Sequence, residues 1–209
     1  MHGTVPALHA LTSDVVLADP SFVESARAIM REARHRVAIH LRATRTAARP
    51  LLEQALALRV IAEETGSWVL VHDRVDLAMV AGISGAQLTS RSLPFGDARR
   101  IAPRMVLGTS VHSAAEAWLS ARSGATYIVA GPAAEGDAAA AATADGLAAI
   151  VEAADGCPVI AVGGITVERV RAVVRDGAAG VAVMRGIWLG DAAQSARRYL
   201  AAYDEGTRR

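Results

Sequence analysis

The fold of this chain is decided by two stretches near its carboxyl end, PVIAVGGIT at residues 158–166 and GVAVMRGI at residues 180–187. Each stretch is a short apolar, β-branched run that reaches a glycine and then passes into a helical pattern. This order is typical of a buried parallel strand followed by the helix that covers it. Two such units in succession are the ending expected of an α/β barrel.

The glycines of these two turns predict a phosphate site. Gly163 and Gly164 carry no side chain where the chain leaves its strand, so a ligand can approach the backbone N–H groups closely. Met184 and Arg185 lie in the second turn, where the guanidinium can add a bidentate contact to a phosphate. The loops after the last two strands of a (β/α)8 barrel commonly bind phosphate. The alternative is that the glycines only permit tight turns.

Six further units of strand and helix precede these two. The predicted strands are apolar, β-branched runs at residues 6–12, 36–42, 67–71, 85–88, 105–109 and 126–130. The predicted helices have helical apolar spacing and cover residues 21–34, 46–65, 74–81, 95–101, 114–123, 138–154, 167–176 and 192–203. Eight βα units in one chain predict an α/β fold, and we expect residues 1–209 to form a single (β/α)8 TIM-barrel domain.

Composition limits the classes of function. A length of 209 residues and an apolar fraction of 52% suit one α/β barrel with a large core. The formal net charge of +1 gives no case for a nucleic-acid partner, and the sequence has no apolar run of membrane-spanning length. The first residues lack the pattern of a secretory signal, so we expect a cytoplasmic protein without a membrane partner.

Two residue types narrow the chemistry further. All 22 basic residues are arginine, so the chain has no lysine for a Schiff base or a P-loop. This absence excludes the lysine-dependent aldolases that share the barrel fold. Cys157 is the single cysteine, which excludes an internal disulfide, and its place before an apolar strand predicts a buried structural thiol.

Polar residues at the carboxyl ends of the strands are the candidates for the site, because functional residues of barrels lie at that edge. These candidates are Arg42, His72, Asp73, Gln87, Ser110, His112 and Arg185. His72, Asp73 and His112 could form an acid–base or metal site. The alternatives are that Asp73 caps the following helix and that His112 orients its loop. Arg42 suits an anionic ligand, unless it is a solvated loop charge.

Six segments at these strand ends resemble the thiamine-phosphate synthase and TenI (thiazole tautomerase) superfamily. They are IHLR at 39–42, VHDRVDLA at 71–78, AQL at 86–88, LGTSVHS at 107–113, AVGGI at 161–165 and GVAVMRGI at 180–187. The resemblance covers residues 8–203, nearly the whole chain. It implies a TIM barrel, a role in thiamine biosynthesis and a phosphorylated heterocycle, a thiazole phosphate, as ligand. It is also compatible with a homodimer.

One branch of this superfamily, the synthase, joins an aminopyrimidine diphosphate to a thiazole phosphate and releases pyrophosphate with the help of Mg2+. The resemblance implies that Asp73 keeps one magnesium ligand. This sequence departs from the synthase pattern in having Thr44 for a lysine, His72 for an asparagine and Ser92 for a second aspartate. Residues 136–139, GDAA, replace the Thr-x-Thr-Lys loop that contacts the pyrophosphate.

The other branch, the tautomerase, moves a proton on a carboxythiazole phosphate and requires no metal or other cofactor. This chain shares its SVHS segment, at residues 110–113, and its Gln-Leu ending of the fourth strand. The catalytic histidine of that branch follows the glycine after the sixth strand, where this chain has Pro132. The candidates for the proton transfer are therefore His72 and His112, with His40 as a third.

We predict on these grounds a TenI-like thiazole tautomerase of thiamine biosynthesis. The residues that would bind its substrate are Gly163, Gly164, Met184 and Arg185 at the phosphate, and Arg42, Gln87 and Ser110 elsewhere. The first alternative is a Mg2+-dependent thiamine-phosphate synthase with Asp73 as metal ligand. The second is a non-catalytic regulatory protein that binds a thiazole phosphate or thiamine phosphate.

Overall fold

The computed structural model describes residues 4–131 and 146–208. Its strands form a closed barrel in which each strand runs parallel to both neighbours, in the order β1 to β8. The strands are β1 Leu8–Leu11, β2 Val37–Leu41, β3 Trp68–His72, β4 Gly85–Leu88, β5 Val106–Val111, β6 Tyr127–Ala130, β7 Val159–Val162 and β8 Gly180–Val183. The predicted (β/α)8 TIM barrel is therefore confirmed.

Helices follow the strands and cover the outside of the barrel. They are α1 Asp14–Ala18, α2 Phe22–Ala33, α3 Ala48–Thr65, α4 Val75–Ala81, α5 Phe95–Ile101, α6 Ala114–Arg122, α7 Gly146–Ala153, α8 Val167–Arg175 and α9 Ala192–Thr207. Of the helix predicted at 138–154, residues 138–145 lie outside the described residues. None of the helices in the described ranges combines the length and the apolar character needed to cross a bilayer.

The helix α1 is not predicted by the sequence patterns, because it is too short to show a helical apolar period. Ser13 caps it by accepting a hydrogen bond from the backbone N–H of Val16 at 3.4 Å. Leu17 is the residue of this helix that joins the core. The helix places Asp14 directly after β1, at the edge of the barrel where the site is expected.

The two faces of each strand have different neighbours, because successive side chains of a strand point to opposite sides. Outward residues such as Leu8, Ile39 and Leu107 are buried in one cluster with helix residues such as Ile29 and Leu58. A second cluster fills the interior of the barrel and contains Leu11, Ala38, Trp68, Leu70, Val106, Tyr127, Val129, Ile160 and Ala182. The interior is thus a packed core, as in other TIM barrels, and not a channel.

Several inward positions carry buried polar side chains instead. His9 on β1, His40 on β2, His72 on β3 and Gln87 on β4 are all at most 9% exposed. The parallel register pairs His72 with Gln87. Since all strands run in one direction, their carboxyl ends meet at one edge, which we call the mouth of the barrel. The polar interior residues therefore lead towards the loops of the mouth.

The single cysteine lies away from the mouth, just before β7. The Cys157 thiol donates to the carbonyl of Ala125 over an Sγ–O distance of 3.4 Å. Burial raises the pKa of this thiol, so the reactive thiolate is disfavoured. The side chain is half-buried and not fully buried as predicted, but its hydrogen bond and raised pKa agree with a structural thiol.

Candidate functional site

The two glycines after β7 adopt the backbone that the sequence predicts for a tight turn. Gly163 has a φ of 110° and Gly164 a φ of 55°, which residues with a side chain rarely adopt. Thr166 stands at the N-cap position of α8, although its side chain makes no capping hydrogen bond to the helix. The turn therefore exposes backbone without side chains next to β8, where Met184 and Arg185 follow the strand.

The Arg42 side chain reaches this side of the mouth from β2. Its Nη1 atom lies 3.9 Å from the Sδ atom of Met184, so the structure brings together two of the predicted ligand contacts. The Arg42 backbone is held by Thr12, whose hydroxyl accepts from the Arg42 N–H at 2.8 Å and donates to its carbonyl at 3.2 Å. Thr12 is fully buried, so the start of the loop after β2 has a rigid support.

Asp14 holds the rest of that loop. Its carboxylate accepts hydrogen bonds from the backbone N–H groups of Thr44, Arg45 and Thr46, and from the hydroxyls of both threonines. These hydrogen bonds hold the pKa of Asp14 far below its usual range, and the bond from the Thr44 hydroxyl has the largest effect. Thr44, at the position where the resemblance implies a lysine, thus helps to fix the loop.

Asp73 is bound to the loop after β4. Its Oδ1 atom accepts from the Thr89 N–H at 3.1 Å, from the Thr89 hydroxyl at 2.6 Å and from the Ser92 hydroxyl. Its Oδ2 atom lies 3.6 Å from a guanidinium nitrogen of Arg91. Burial acts to raise the pKa of Asp73, but the hydrogen bonds from Ser92 and Thr89 hold it below its usual value.

The alternative of Asp73 as a helix cap is wrong. The N-cap residue of α4 is Arg74, whose side chain makes no capping bond. Asp73 itself has a φ of 60°, and its backbone N–H donates to the carbonyl of Gln87 at 2.9 Å. The left-handed backbone directs the carboxylate to the β4 loop, away from the start of the helix.

Three histidines form a chain of hydrogen bonds inside the barrel. The Nδ1 atom of His9 lies 2.8 Å from Nε2 of His40, and Nδ1 of His40 lies 3.0 Å from Nε2 of His72. At the other end, Nε2 of His9 lies 3.0 Å from the carbonyl oxygen of Pro6. The sequence places His40 and His72 near strand ends, but His9 lies inside β1 and is not indicated by that criterion.

All three rings are neutral near pH 7. Burial lowers the pKa of His9 to about 3, against the opposite effect of the Pro6 carbonyl. Burial, with a smaller contribution from the charge of Arg42, lowers the pKa of His72 to about 3, while Asp73 acts to raise it. Burial and the two neighbouring histidines lower the pKa of His40 as well. The protonated form is therefore disfavoured throughout the chain.

Gln87 and Ser110 lie beside the histidine chain. The amide nitrogen of Gln87 donates to the Ser110 hydroxyl at 3.0 Å. The Oε1 atom of Gln87 and the hydroxyl of Tyr127 are buried and have no hydrogen-bond partner in the part of the chain that the structure describes. Buried polar atoms are normally paired, so this side of the interior has polar groups available for a ligand or a water molecule.

His112 lies at the rim of the mouth. Its Nδ1 atom donates to the carbonyl of Gly131 at 3.1 Å, and its backbone N–H donates to Glu116 at 2.7 Å. Because its Nδ1 carries the proton in this bond, the neutral ring has its lone pair on Nε2. Pro132 and residues 136–139, which the family comparison above singled out, lie outside the described residues.

Similarity to known proteins extends over the strands and loops of this site. Residues 11–187 match the family described as thiamine monophosphate synthase. The chain belongs to this family. It is 40% identical over 177 residues to the thiamine-phosphate synthase of Methanoculleus marisnigri, covering 80% of this chain and 84% of that protein. It is 34% identical over 168 residues to that of Chloroflexus aurantiacus, covering 78% of this chain and 77% of that protein.

A solved structure of a thiamine monophosphate synthase family relative is also similar. The fold matches that of a thiamine phosphate pyrophosphorylase from Pyrococcus furiosus with a TM-score of 0.83 and 30% identity, over 97% of this chain and 98% of that one. Membership of the family places the chain in thiamine biosynthesis, as predicted. The relatives named here are synthases, which favours the first alternative over the predicted tautomerase.

A synthase of this family implies a magnesium ion, so the ligands that magnesium requires can be compared with the donor groups at the mouth. Within residues 4–131 and 146–208, no three His, Cys, Asp or Glu side chains are placed to hold a metal ion together. Asp73 offers one carboxylate, and Ser92 donates its hydroxyl to it. Magnesium commonly binds through one or two carboxylates together with substrate phosphates and water. The donors therefore fit an ion shared with a substrate diphosphate, and not one held by protein ligands alone.

Residues that sequence analysis missed support the predicted ones. Thr12 and Asp14 fix the Arg42 loop, while Thr89 and Arg91 contact Asp73. Thr12 and Asp14 directly follow β1, so the strand-end criterion could have found them. Thr89 and Arg91 follow β4 and carry groups that can bind a carboxylate, but the sequence does not show that Asp73 lies within their reach.

Proposed function

We propose that this protein is a thiamine-phosphate synthase, which couples an aminopyrimidine diphosphate to a thiazole phosphate and releases pyrophosphate. The observation that carries the proposal is the match of residues 11–187 to the family, with synthases at 34% and 40% identity among the relatives. The residues at the mouth are chemically suited to this reaction.

Arginines would stabilise the leaving pyrophosphate. Negative charge grows on the diphosphate as its bond to the pyrimidine breaks, so fixed cations at this point lower the barrier. Arg42 follows β2 and Arg91 follows β4, and the charges of both act on His72 between them. Arginine binds phosphate oxygens in a bidentate manner. These two guanidinium groups would replace the charge of the lysines that the resemblance implies after strand two and strand six of a synthase.

The thiazole phosphate would bind at the turns after β7 and β8, where the Arg42 side chain lies 3.9 Å from Met184. Gly163 and Gly164 have backbone conformations that leave their N–H groups uncovered by a side chain. Arg185 is the second residue after β8 and would add a cation at this part of the mouth. Met184 is 38% exposed and can contact the ring of the ligand. Gln87 and Ser110 would bind polar atoms of the heterocycles from below.

Asp73 is the residue that would hold magnesium, through the carboxylate oxygen that faces Arg91. When bound, the ion adds positive charge at the departing pyrophosphate. The protein prepares this position by fixing the other oxygen of Asp73 with the donors of Thr89 and Ser92. The low pKa of Asp73 keeps the carboxylate charged at neutral pH.

A thiazole tautomerase remains the second candidate. The observation that favours it is Ser92, which stands in place of a second acidic residue and bonds to Asp73. In this reaction a neutral histidine would accept and return a proton of the carboxythiazole. His72 and His112 are the candidates, since each has one ring nitrogen bonded to the protein and, within residues 4–131 and 146–208, no recorded partner for the other. A non-catalytic binding protein is the remaining alternative.

The deciding experiment measures two reactions with the purified chain. Formation of thiamine phosphate from aminopyrimidine diphosphate and thiazole phosphate is followed with Mg2+ and with excess EDTA, and isomerisation of carboxythiazole phosphate is followed in parallel. We expect metal-dependent coupling and no isomerisation. Isomerisation that is insensitive to EDTA, without coupling, would establish the tautomerase instead. Binding of the ligands without either reaction would establish the regulatory protein.

A pair of variants tests the role of Asp73. Asp73→Asn should abolish most of the coupling, because the amide lacks the charge that a magnesium ligand needs. Asp76→Asn is the matched control, since Asp76 is exposed and pairs with Arg74 at 2.6 Å. Equal activity of the two variants would exclude Asp73 as a metal ligand.

A further inference from the structure

The histidine chain crosses the barrel from its amino edge to its mouth. The register pairs His9 with Ala38, two residues before His40, and pairs His40 with Leu70, two residues before His72. Each ring therefore lies one inward position closer to the mouth than the ring before it. Pro6 lies before β1 at the amino edge, whereas His72 is the last residue of β3. The chain is thus a continuous polar connection through the packed interior of the barrel.

The direction of every hydrogen bond in this chain follows from its first partner. A carbonyl oxygen can only accept, so the Nε2 atom of His9 carries a proton and donates to Pro6. In a neutral ring the other nitrogen is then an acceptor, so Nδ1 of His9 accepts from Nε2–H of His40. By the same argument, Nδ1 of His40 accepts from Nε2–H of His72. The step to each next ring requires neutral histidines. The three rings are buried, and their partners in the chain are one another and the Pro6 carbonyl, with no carboxylate among them to hold a charged ring.

We propose that the Pro6 carbonyl, acting through His9 and His40, fixes His72 as the Nε2–H tautomer, so that its Nδ1 atom is a hydrogen-bond acceptor at the mouth. His9 and His40 are then positioning residues, since they act on a ligand only through His72. No partner for this Nδ1 atom is found among the described residues. The alternative tautomer of His72 would leave two lone pairs facing each other between His40 and His72, and it is therefore excluded by the chain.

A fixed acceptor selects the chemistry of its partner. Phosphate oxygens are acceptors themselves, so Nδ1 of His72 cannot bind them and leaves them to Arg42 and Arg91. It accepts instead from an N–H or O–H group of the ligand. If the chain is a thiamine-phosphate synthase, a step that rests on the proposed function, the donor is the amino group of the aminopyrimidine. His72 would then position the pyrimidine while the arginines hold its diphosphate.

The tautomers can be measured directly by NMR on the protein labelled with 15N-histidine. Long-range correlations between ring protons and nitrogens distinguish a protonated from an unprotonated nitrogen, and the spectrum of His72→Gln assigns the His72 signals. At neutral pH we expect Nε2 of His72 to be protonated and Nδ1 to be unprotonated. A protonated Nδ1 in the wild-type protein, in either a neutral or a charged ring, overturns the proposal.

Variants of His9 test the transmission along the chain. His9→Phe removes the acceptor for His40, so the His72 signals should shift towards a mixture of tautomers. His9→Gln should restore the wild-type signals, because its amide can donate to Pro6 and accept from His40. The exposed His35 gives the matched control, and His35→Phe should leave His72 unchanged. Unchanged His72 signals in a folded His9→Phe protein, or in a folded His40→Phe protein if the first variant does not fold, would refute a positioning role.

A binding comparison separates this inference from the proposed function. The wild-type protein should prefer the aminopyrimidine phosphate over its analogue with a carbonyl in place of the amino group, by on the order of fivefold for one neutral hydrogen bond. His9→Phe should lose this preference while retaining the affinity for pyrophosphate. Equal binding of both pyrimidines overturns the assignment of the amino group. If neither pyrimidine binds while the NMR spectra show the expected tautomers, the proposed function is overturned and the fixed tautomer of His72 is supported.

Discussion

Gly108→Ala should destabilise the barrel, although it adds only one methyl group. Gly108 faces inward on β5, and the register pairs it with Gln87 of β4 and Tyr127 of β6. A Cβ atom on Gly108 would lie 2.2 Å from Cζ of Tyr127 and 2.5 Å from Oε1 of Gln87. Both distances are far shorter than van der Waals contact, so the tyrosine ring or the glutamine amide has to move.

The cost depends on how freely the tyrosine ring can move. Tyr127 is fully buried, and its ring centroid lies 5.1 Å from that of His9 and 6.3 Å from that of Trp68. Overpacking a filled core costs about 1–3 kcal/mol, and the lower entropy of the unfolded alanine chain offsets about 0.4–1 kcal/mol. We expect a net destabilisation of about 1–2 kcal/mol, and a fall in Tm of roughly 2–8 °C for a domain of this size.

Gly96→Ala in α5 is the matched control, because a Cβ atom there meets no atom within 4 Å. Alanine has the higher helix propensity, so this variant should keep or raise the stability. Urea unfolding followed by circular dichroism gives the free energy of unfolding of both variants and of the wild-type protein. If Gly108→Ala is as stable as the wild-type protein, the interior around Tyr127 is not filled and the reasoning is refuted.

Three further predictions concern the site. Burial lowers the pKa of His9 to about 3, so the unfolded chain binds the extra proton between about pH 6.5 and 3, and stability falls as the pH decreases through this range. Urea unfolding at a series of pH values should show a shallower decrease for His9→Gln. Thr12→Val removes both hydrogen bonds to the Arg42 backbone. This variant should lower the free energy of unfolding by about 1–3 kcal/mol and raise the KM for the diphosphate substrate. An unaltered KM would show that Arg42 is not a ligand contact. Gly164→Ala forces alanine into a φ of 55°, at a cost of about 1 kcal/mol, and calorimetry should detect weaker binding of thiazole phosphate unless the phosphate lies elsewhere.

The strands and helices were largely accessible from the sequence, because their signals are local. The strand β4 and the helix α5 begin and end where the residue patterns place them, at Gly85–Leu88 and Phe95–Ile101. The helix α1 was not predicted, because one and a half turns are too short to show a periodic pattern of apolar residues. The boundaries of other elements moved by a few residues, since the ends of strands depend on how far the neighbouring strand continues the hydrogen bonding.

The site was predicted in part for a similar reason. Arg42, His72, Asp73 and Gln87 follow or end buried strands, and parallel strands bring such residues to one edge. Their partners were not predicted. Asp73 was expected to cap a helix or hold a metal, but its bonds go to the loop after β4. A carboxylate accepts from any nearby donor, so only the packing of the two loops decides which donors it meets.

The sequence alone therefore determined the barrel, the edge at which the site lies and the absence of lysine chemistry, because alternation, glycine turns and residue types are properties of short segments. The tertiary structure decided which polar groups meet. His9, His40 and His72 belong to three strands, and their bonding depends on the stagger of those strands around the closed barrel. This stagger is set by the packing of the interior as a whole, so the direction of the histidine chain, from the Pro6 carbonyl to the mouth, became visible only in the folded molecule.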